Sequence, residues 1–307
     1  MPKDTLSAGL PAALPDPGAT PLRPCTLVLP AGPWRCVLDA LCELFPAVGR
    51  QAWQDRFARH RVLDSQQAPI PADQPYQSGK RLYYFREVAN EPEIPVTEAI
   101  LYQDEHLLVA DKPHFLPVTP GGRYVHQTLL ARLIARTGLP DLQPLHRLDR
   151  HTAGLVLFGV QKASRARYQQ LFRDQHIDKS YQALAPALPQ LSFPYHRHSR
   201  IERGDPFFLS CEVAGQSNAH TIIEVLEQRN GIWRYRLTPV SGKKHQLRLH
   251  MAALGAPICN DAFYPEVDDE LGENYQRPLQ LLAQEIRFTD PLSGEPRHFV
   301  SQQQLQW

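Results

Sequence analysis

The stretch that decides the fold is residues 145–158, which read LHRLDRHTAGLVLF. Its first half surrounds one carboxylate, Asp149, with the arginines Arg147 and Arg150. Its second half contains a continuous apolar run, 155–158, which predicts a buried β-strand. Nearby cations favour the ionised form of a carboxylate, as a nucleophile or a general base requires. The residues alone leave two interpretations open: a catalytic carboxylate, or an ion-pair cluster at the start of a strand.

The composition is that of a soluble globular protein. Of the 307 residues, 42% are hydrophobic and 21% are charged, and the formal net charge is only +1. This balance excludes wholesale disorder and a basic surface over the whole chain. A polyanionic partner must therefore contact a local patch. The interval 144–181 supplies one, because it holds seven Lys or Arg and only three acidic residues.

Neither a membrane protein nor a disulfide-stabilised protein is expected. No apolar run approaches the roughly 18 residues of a transmembrane helix, and prolines interrupt the stretch where a signal peptide has its apolar core. We therefore expect a cytoplasmic protein. The five cysteines form no C-x-x-C pair, which argues against a disulfide framework, a redox motif and a zinc ribbon.

Changes in composition and periodicity divide the chain into four segments: a proline-rich leader (1–33), a small module (34–88), a linker (89–98) and a main domain (99–307). The small module has the pattern of two helices followed by a β-hairpin. In the main domain, strands and helices intermix, so the predicted fold class is α+β, or α/β with a mixed sheet. Its strongest local signal is Asn230-Gly231 between two apolar runs, which predicts a hairpin turn.

A second segment with reactive side chains lies at the end of the basic interval. Lys179 and Tyr181 stand at the start of a predicted strand and share one face, because alternate residues of a strand point the same way. Tyrosine can stack on a nucleic-acid base and donate its hydroxyl. A half-buried strand tyrosine without such a role is the commoner case, so this segment alone decides nothing.

A third segment, 241–250, carries Lys243, Lys244 and Arg248 without any acidic residue. It opens a helix that we predict over 244–254. Phosphate binds well at a helix N-terminus because the free N–H groups and the helix dipole favour an anion. Arg248 lies one turn inside, where it can pair with a carboxylate. A basic solvated helix face is the simpler interpretation.

In this order, the three segments resemble the RluA-type family of RNA pseudouridine synthases, from about residue 99 to the C-terminus. Asp111-Lys112-Pro113 and the stretch from Gly255 to Asp261 also follow the family pattern. The segments that carry the resemblance are 100–120, 146–158, 179–181, 242–261 and 281–291. The small module resembles, more diffusely, an S4-type RNA-binding module, and a generic packing or dimerisation module is the alternative interpretation.

The resemblance implies the pseudouridine synthase fold, in which helices flank a central mixed and mainly antiparallel sheet. It implies isomerisation of uridine to pseudouridine in structured ribosomal or transfer RNA. RNA is then the partner, and a monomer without a cofactor, a metal or a membrane contact is expected. The reaction involves no redox change and no net hydrolysis, which agrees with a sequence that has no cofactor motif.

The resemblance also implies roles for single residues. Asp149 is the essential carboxylate, and Arg248 pairs with it. Tyr181 stacks on the target base and can serve in a later proton transfer. Leu247 contacts the base from its apolar side, and Arg147 fills the space that the flipped base leaves. The further candidates for contact with RNA are Arg150, Lys179, Lys243 and Lys244.

The sequence departs from the family pattern at three places. Lys243-Lys244 stands where the family has Arg-Thr, and lysine lacks the planar fork with which arginine binds phosphate. Ala153 replaces a serine, and Leu282 replaces a histidine. These departures keep open a second hypothesis, a non-catalytic RNA-binding or ribosome-assembly protein, although such a protein would not need the anion of Asp149.

A third hypothesis is a metal hydrolase. It is suggested by the histidines of the main domain, His196, His198, His245 and His250. Their spacing matches neither the H-E-x-x-H motif nor any other zinc motif. His245 and His250 are five residues apart and share a helix face poorly.

Overall fold

The computed structural model describes residues 24–88 and 90–307. The chain forms two compact units, 1–90 and 91–307. Most of the predicted leader, 1–23, lies outside the described residues. Within the residues that are described, no helix combines the length and the apolar character that a membrane span requires.

The first unit combines a small antiparallel sheet with two helices. Its elements are β1 (Cys25–Val28), α1 (Val37–Leu44), α2 (Arg50–Ala58), β2 (Val62–Leu63) and β3 (Arg81–Tyr84). Strand β3 lies between β1 and β2. The helices and the β2–β3 pair lie where the sequence predicts them. Strand β1 falls in the expected leader: Cys25, Leu27 and Leu29 point inward in alternation, a strand signal that the surrounding prolines obscure.

The second unit is built on one large sheet. Its strands are β4 (Ala99–Gln103), β5 (Leu107–Lys112), β6 (Gln143–Pro144), β7 (Ala153–Gly159), β8 (Ile177–Pro186), β9 (Tyr195–Arg203), β10 (Ser210–Val213), β11 (Ala219–Arg229), β12 (Ile232–Pro239), β13 (Leu281–Thr289) and β14 (Pro296–Val300). Its helices are α3 (Leu129–Thr137), α4 (Lys162–Arg173), α5 (Gln246–Ala253) and α6 (Asp269–Gly272).

The order of the strands within the described residues is β10-β9-β11-β12-β8-β13-β7-β5-β4, with β14 beside β13 and β6 beside β7. Among these pairs, β13 with β7 is parallel and the others are antiparallel. The predicted α+β class and the mixed, mainly antiparallel sheet are therefore confirmed.

Two local predictions, a hairpin turn and the start of a helix, agree with the structure to different degrees. The turn between β11 and β12 uses positive φ angles at Asn230 (44°) and Gly231 (78°), as the sequence predicts for a tight hairpin. The helix predicted from residue 244 begins two residues later, at Gln246. The reason is His245, whose left-handed conformation (φ 56°) cannot continue a right-handed helix.

Residues 91–98, most of the expected linker, pack against the second unit. The carboxylate of Glu91 accepts hydrogen bonds from three backbone N–H groups, those of Val125, His126 and Gln127, at 2.6, 2.9 and 2.7 Å. Ile94 is buried in the hydrophobic core beside β5 and α3. This segment therefore starts the second unit, because its acidic and apolar side chains both have fixed partners there.

The two parts of the large sheet meet where β7 runs parallel to β13. Ala283 pairs with Gly154 of β7 on one side and with Tyr181 of β8 on the other. Gly154 has a φ of +110°, and a Cβ atom added to it would lie 2.3 Å from the backbone oxygen of Ala283. Only glycine permits this approach. The joint between β7 and β13 therefore requires glycine at position 154.

We expect Gly154→Ala to lower the free energy of unfolding by about 3 kcal/mol or more, because it adds steric overlap with Ala283 to an unfavourable φ. Gly138→Ala is the matched control: Gly138 also has a positive φ, +67°, but nothing lies within 4 Å of its Cβ position. The control should lose only about 1–2 kcal/mol. Urea unfolding measures both variants, and equal losses would contradict the importance of the close approach.

Candidate active site

An open cleft of about 760 Å³ crosses the second unit. Three segments supply most of its lining: 146–149 before β7, 175–181 where α4 passes into β8, and 238–248 from the end of β12 into α5. These are the three segments that sequence analysis singled out. They are distant in the sequence, and the sheet brings them together.

The register of the sheet places Tyr181 beside the turn that carries Asp149. Tyr181, Ala283 and Gly154 stand in one row across β8, β13 and β7. The turn before β7 is closed by a hydrogen bond from the backbone N–H of Thr152 to the carbonyl of Asp149, at 3.2 Å. Both the tyrosine ring and the carboxylate consequently line the cleft.

Asp149 is accessible, with 24% of its side chain exposed. Nη1 of Arg248 lies 3.7 Å from its Oδ2, and Nε2 of His245 lies 3.7 Å from its Oδ1. Both distances are longer than a hydrogen bond. The carboxylate is thus attracted by a nearby cation, but neither of these neighbours holds its oxygens in a direct bond.

Arg248 occupies α5 and is almost completely buried, with 1% of its side chain exposed. Its Nε and Nη2 donate to the two oxygens of Asp261, at 2.8 and 2.5 Å. Its third nitrogen, Nη1, has no hydrogen-bond partner among the described residues and is the atom nearest Asp149. The sequence predicted a pair between Arg248 and Asp149. The two groups form an ion pair at 3.7 Å, while the direct bidentate pair of Arg248 is with Asp261.

Asp261 was missed as a site residue by sequence analysis. It was quoted only as the last residue of the family-like stretch from Gly255, and nothing in its spacing connects it to Arg248. Besides the arginine, its Oδ1 accepts the backbone N–H groups of Phe263 and Tyr264, at 2.8 and 3.1 Å. These bonds fix the carboxylate, which in turn fixes the guanidinium of Arg248.

His245 is the other missed neighbour of Asp149. Burial lowers the pKa of its ring to about 4, against the opposing attraction of Asp149. Its Nδ1 shares a hydrogen bond with the hydroxyl of Tyr264 at 2.9 Å, and that hydroxyl oxygen also contacts the backbone of Ser210. His245 therefore faces the carboxylate as a neutral and firmly oriented ring.

Tyr181 is held as a neutral phenol. Burial, and then the negative charge of Asp149, raise the pKa of Tyr181 well above its ordinary value. Its ring packs between two hydrophobic clusters of the sheet, one around β7 and one around β12. At neutral pH the hydroxyl keeps its proton, so Tyr181 can donate a hydrogen bond into the cleft.

Lys112 lies at the end of β5 and is fully buried. Its Nζ donates to the carbonyl oxygens of Pro113, Leu116 and Arg150, at 3.0, 2.8 and 3.1 Å. Burial lowers its pKa to about 7, and the charge of Asp149 opposes that change. Sequence analysis quoted Lys112 in the family-like motif without a role. Its bond to Arg150 steadies the backbone directly after Asp149.

The other cations of the cleft differ in exposure. Arg147, Lys243 and Lys244 are exposed at its rim. Lys179 is half-buried, and burial lowers its pKa. Leu247 is buried with one face on the cleft. These five residues all line the cleft.

Arg150 does not line the cleft, unlike the other candidates for RNA contact. Its Nη1 and Nη2 donate to the carboxylate of Glu273 at 2.7 and 3.0 Å, and its Nε donates to the carbonyl of Phe115 at 3.1 Å. The sequence analysis counted its charge as free because Glu273 is more than a hundred residues away. The geometry gives no support to a contact between Arg150 and RNA.

Comparison with known proteins identifies the family. Residues 106–253 match the family model described as RNA pseudouridylate synthase. The chain is 31% identical over 245 residues to the RNA pseudouridine synthase slr1592 of Synechocystis, which covers 74% of this chain and 79% of that protein. It is 34% identical over 211 residues to the dual-specificity RNA pseudouridine synthase RluA of Haemophilus influenzae, which covers 65% and 90%.

Solved structures agree in fold. The human protein named RNA Pseudouridylate Synthase Domain Containing 1 superposes with a TM-score of 0.57 at 24% identity, over 69% of this chain and 86% of that one. The chain thus belongs to the RNA pseudouridine synthases, enzymes that isomerise uridine in RNA. Within that class, relatives named RluA at 31–34% identity assign it to the RluA-type family, as the motifs predicted. The hypothesis of a non-catalytic scaffold is set aside.

Five histidines of the second unit are buried as neutral rings, which makes the fold sensitive to acid. Burial lowers the pKa to about 3 for one of them and to about 4 for the others. They are His146, His114, His151, His245 and His250. In an unfolded chain these rings protonate near pH 6.5. The unfolded state therefore binds more protons between about pH 4 and 6.5, and stability falls as the pH falls through that window.

We expect the midpoint of thermal unfolding to fall steeply from about pH 6.5 to 4. His146→Gln keeps an acceptor for the backbone N–H of Leu157 and removes one titrating ring, so the fall should become shallower. His176→Gln, at an exposed histidine, is the control and should keep the full slope. The same pH dependence in His146→Gln and in the wild type would refute the assignment.

Proposed function

We propose that the chain isomerises uridine in structured ribosomal or transfer RNA, with Asp149 as the essential carboxylate. The observation that carries the proposal is the meeting of Asp149, Tyr181 and the unpaired nitrogen of Arg248 at one cleft. A relative that is named a dual-specificity RNA pseudouridine synthase supports a range wider than one RNA.

The reaction exchanges one bond of the uracil ring for another. The bond from N1 to the ribose C1′ breaks, the base turns, and a bond from C5 to C1′ forms. C5 loses its hydrogen as a proton and N1 gains a proton, so atoms and electrons balance within the nucleotide and solvent. The protein must hold the loose base, stabilise the changing charge and move a proton.

Asp149 is the group that we assign to stabilise the charge that changes during the reaction. Nη1 of Arg248 lies 3.7 Å from its Oδ2, so a positive charge faces the carboxylate. When a base enters the cleft and displaces water, the attraction between the two groups strengthens because the local dielectric falls. Asp261 holds Arg248 by its bidentate bond, so we assign Asp261 as a positioning residue.

Tyr181 and Leu247 form the two walls for the base. An uncharged aromatic ring is a suitable platform for a base that has left its stack. The raised pKa of Tyr181 supports a phenol that donates a hydrogen bond in the resting enzyme rather than one that accepts a proton. Leu247 offers an apolar surface on the α5 side of the cleft.

The rim supplies the contacts to the RNA backbone. We assign phosphate contacts to Lys179, Lys243 and Lys244, and to Arg147 the space that the flipped base leaves in its helix. Lysine acts on phosphate as a point charge and arginine as a planar fork. The two exposed lysines at 243 and 244 therefore attract RNA without fixing its orientation. The orientation is set instead by the walls that hold the base, Tyr181 and Leu247.

The first unit is proposed to act as an S4-like RNA-binding module. Two helices beside a small sheet support this assignment. Arg50 and Arg59 of this unit are ion-paired, with Asp39 and with Asp55 respectively. Its RNA contact therefore falls to exposed cations such as Lys80 and Arg81 of the hairpin. We further propose a monomeric enzyme that acts in the cytoplasm.

Asp149→Asn tests the central assignment. It replaces a carboxylate by a neutral group of nearly equal shape and leaves the bond between Arg248 and Asp261 in place. We expect tritium release from RNA that contains [5-³H]uridine to fall by about 10³-fold or more. Tyr181→Phe, which keeps the ring and removes the hydroxyl, should lose less, about 10²-fold. The RNA is prepared from cells that lack this protein.

The control for this test is Asp174→Asn, which removes an exposed carboxylate outside the cleft and should leave release unchanged. Thermal unfolding of Asp149→Asn should match the wild type. Release at the wild-type rate from folded Asp149→Asn would reject Asp149 as the essential group. Absence of release by the wild type from every RNA fraction would reject the proposed substrates.

The substrate class is tested by fractionating the same labelled RNA. We expect release from the ribosomal fraction, the transfer RNA fraction or both, because structured loops offer uridines that are easily unstacked. The Asp149→Asn protein serves as the blank for each fraction. Release confined to a third class of RNA would overturn the substrate assignment and leave the reaction intact.

A further inference from the structure

Three histidines meet on the face of the sheet formed by β9 and β11. His196 and His198 are two residues apart on β9 and so share one face. His220 on β11 stands directly opposite His198 in the antiparallel register. Sequence analysis had grouped His196 and His198 with other histidines. His220 was not considered, because the cross-strand register is not visible in the sequence.

The other two histidines of that earlier group belong elsewhere. His245 faces Asp149, and His250 contacts the hydroxyls of Ser199 and Thr221. The cluster is thus a new one, made of His196, His198 and His220, and is hereafter called the histidine triad. It shares His196 and His198 with the set that the metal hydrolase hypothesis combined, and His220 takes the place of the other two.

The distances within the histidine triad suit a metal ion. One ligand nitrogen from each ring lies within 4.8 Å of the other two. Nδ1 of His196 and Nε2 of His220 are 3.1 Å apart. Two imidazole nitrogens bound tetrahedrally at about 2.0–2.1 Å from zinc are separated by about 3.3 Å. The distance between the nitrogens of His196 and His220 is therefore already close to the distance in a tetrahedral zinc site.

The third ring is close and free to adjust. The rings of His198 and His220 are stacked with centroids 3.9 Å apart and planes 14° apart. His196 and His198 are exposed, so a rotation about their side-chain bonds meets no packed core. A small rotation of His198 brings its nitrogen toward the other two.

No hydrogen bond or ion pair within the described residues joins a carboxylate to the histidine triad, so acid–base pairing does not explain it. Arg200 is the next residue on the same face of β9. Its Nε donates a hydrogen bond to Oε1 of Glu202 at 2.7 Å, which neutralises its charge. A neutral imidazole is the form that binds a metal.

We propose that His196, His198 and His220 bind one divalent transition-metal ion of the zinc class, with a fourth coordination position open to solvent. Imidazole suits zinc, copper, nickel and cobalt, whereas magnesium and calcium prefer oxygen ligands. Two ligands on one strand and a third on its neighbour are held by the sheet itself, which favours binding because little order must be created. The inference departs from the expectation of a metal-free protein.

The site lies next to the cleft but outside it. The backbone N–H of His220 donates to the hydroxyl of Ser241, and its carbonyl accepts from the side chain of Gln246, both at 2.9 Å. Ser241 and Gln246 belong to the segment that lines the cleft. A bound ion would join β9 to β11 and so steady the strand on which that segment rests. The proposal does not depend on the proposed reaction.

Zinc binding tests the proposal on the full chain prepared without a polyhistidine tag. A titration of Zn²⁺ against a chromophoric chelator gives the stoichiometry and the Kd. We expect one equivalent for the wild type. His198→Gln and His220→Gln should each weaken binding by about 100-fold or more, since even residues outside the ligand shell cost 10–100-fold. Far-UV circular dichroism checks that each variant is folded.

His298→Gln is the matched control, because it removes an exposed histidine on β14 and leaves the histidine triad complete. It should bind as the wild type does. His196→Gln replaces either variant that fails to fold. Failure of the wild type to bind one equivalent overturns the proposal, and so does binding by the triad variants as tight as that of the control. Tritium release is measured separately, so a failed isomerase assay has no bearing on this result.

Discussion

The placement of Asp149 beside Tyr181 in the cleft depends on the close approach of two strands at one glycine. Because Gly154 has no Cβ, the backbone of Ala283 can lie against it, and β7 and β13 join. Ala283 also sets the register of Tyr181, while the turn with Asp149 comes just before β7. A single steric requirement thus aligns a carboxylate and an aromatic ring from different strands. The relative position of these two groups is consequently fixed by the sheet.

The buried cations near Asp149 have other groups as their direct hydrogen-bond partners. Arg248 is buried, but Asp261 neutralises it through a bidentate bond. Lys112 is buried as well, and three backbone carbonyls satisfy its donors. If a carboxylate were the direct partner of a buried cation, its reaction would leave that cation unpaired in the core, at a cost of several kcal/mol. Because other groups hold the cations, Asp149 can react without disturbing the core.

The sequence was sufficient for the fold class, for the hairpin at Asn230-Gly231 and for the three segments of the cleft. It succeeded because these signals are local or follow the order of a family. It failed where a partner is distant in the chain. The pairing of Arg248 with Asp261, the capture of Arg150 by Glu273 and the place of His220 beside its neighbours all depend on tertiary contacts that no spacing encodes.

The rim of the cleft has a consequence for how RNA is selected. Arg147, Lys179, Lys243 and Lys244 are its four cations, and the whole chain has a net charge of only +1. Each phosphate neutralised changes the logarithm of affinity by about 0.7 per decade of salt on a single strand. On the assignment proposed above, the three lysines of the rim contact phosphates, so the rim contributes only a modest part of the salt dependence. The same proposal leaves much of the discrimination to the energy needed to extrude a base, which is lowest at sites that open readily.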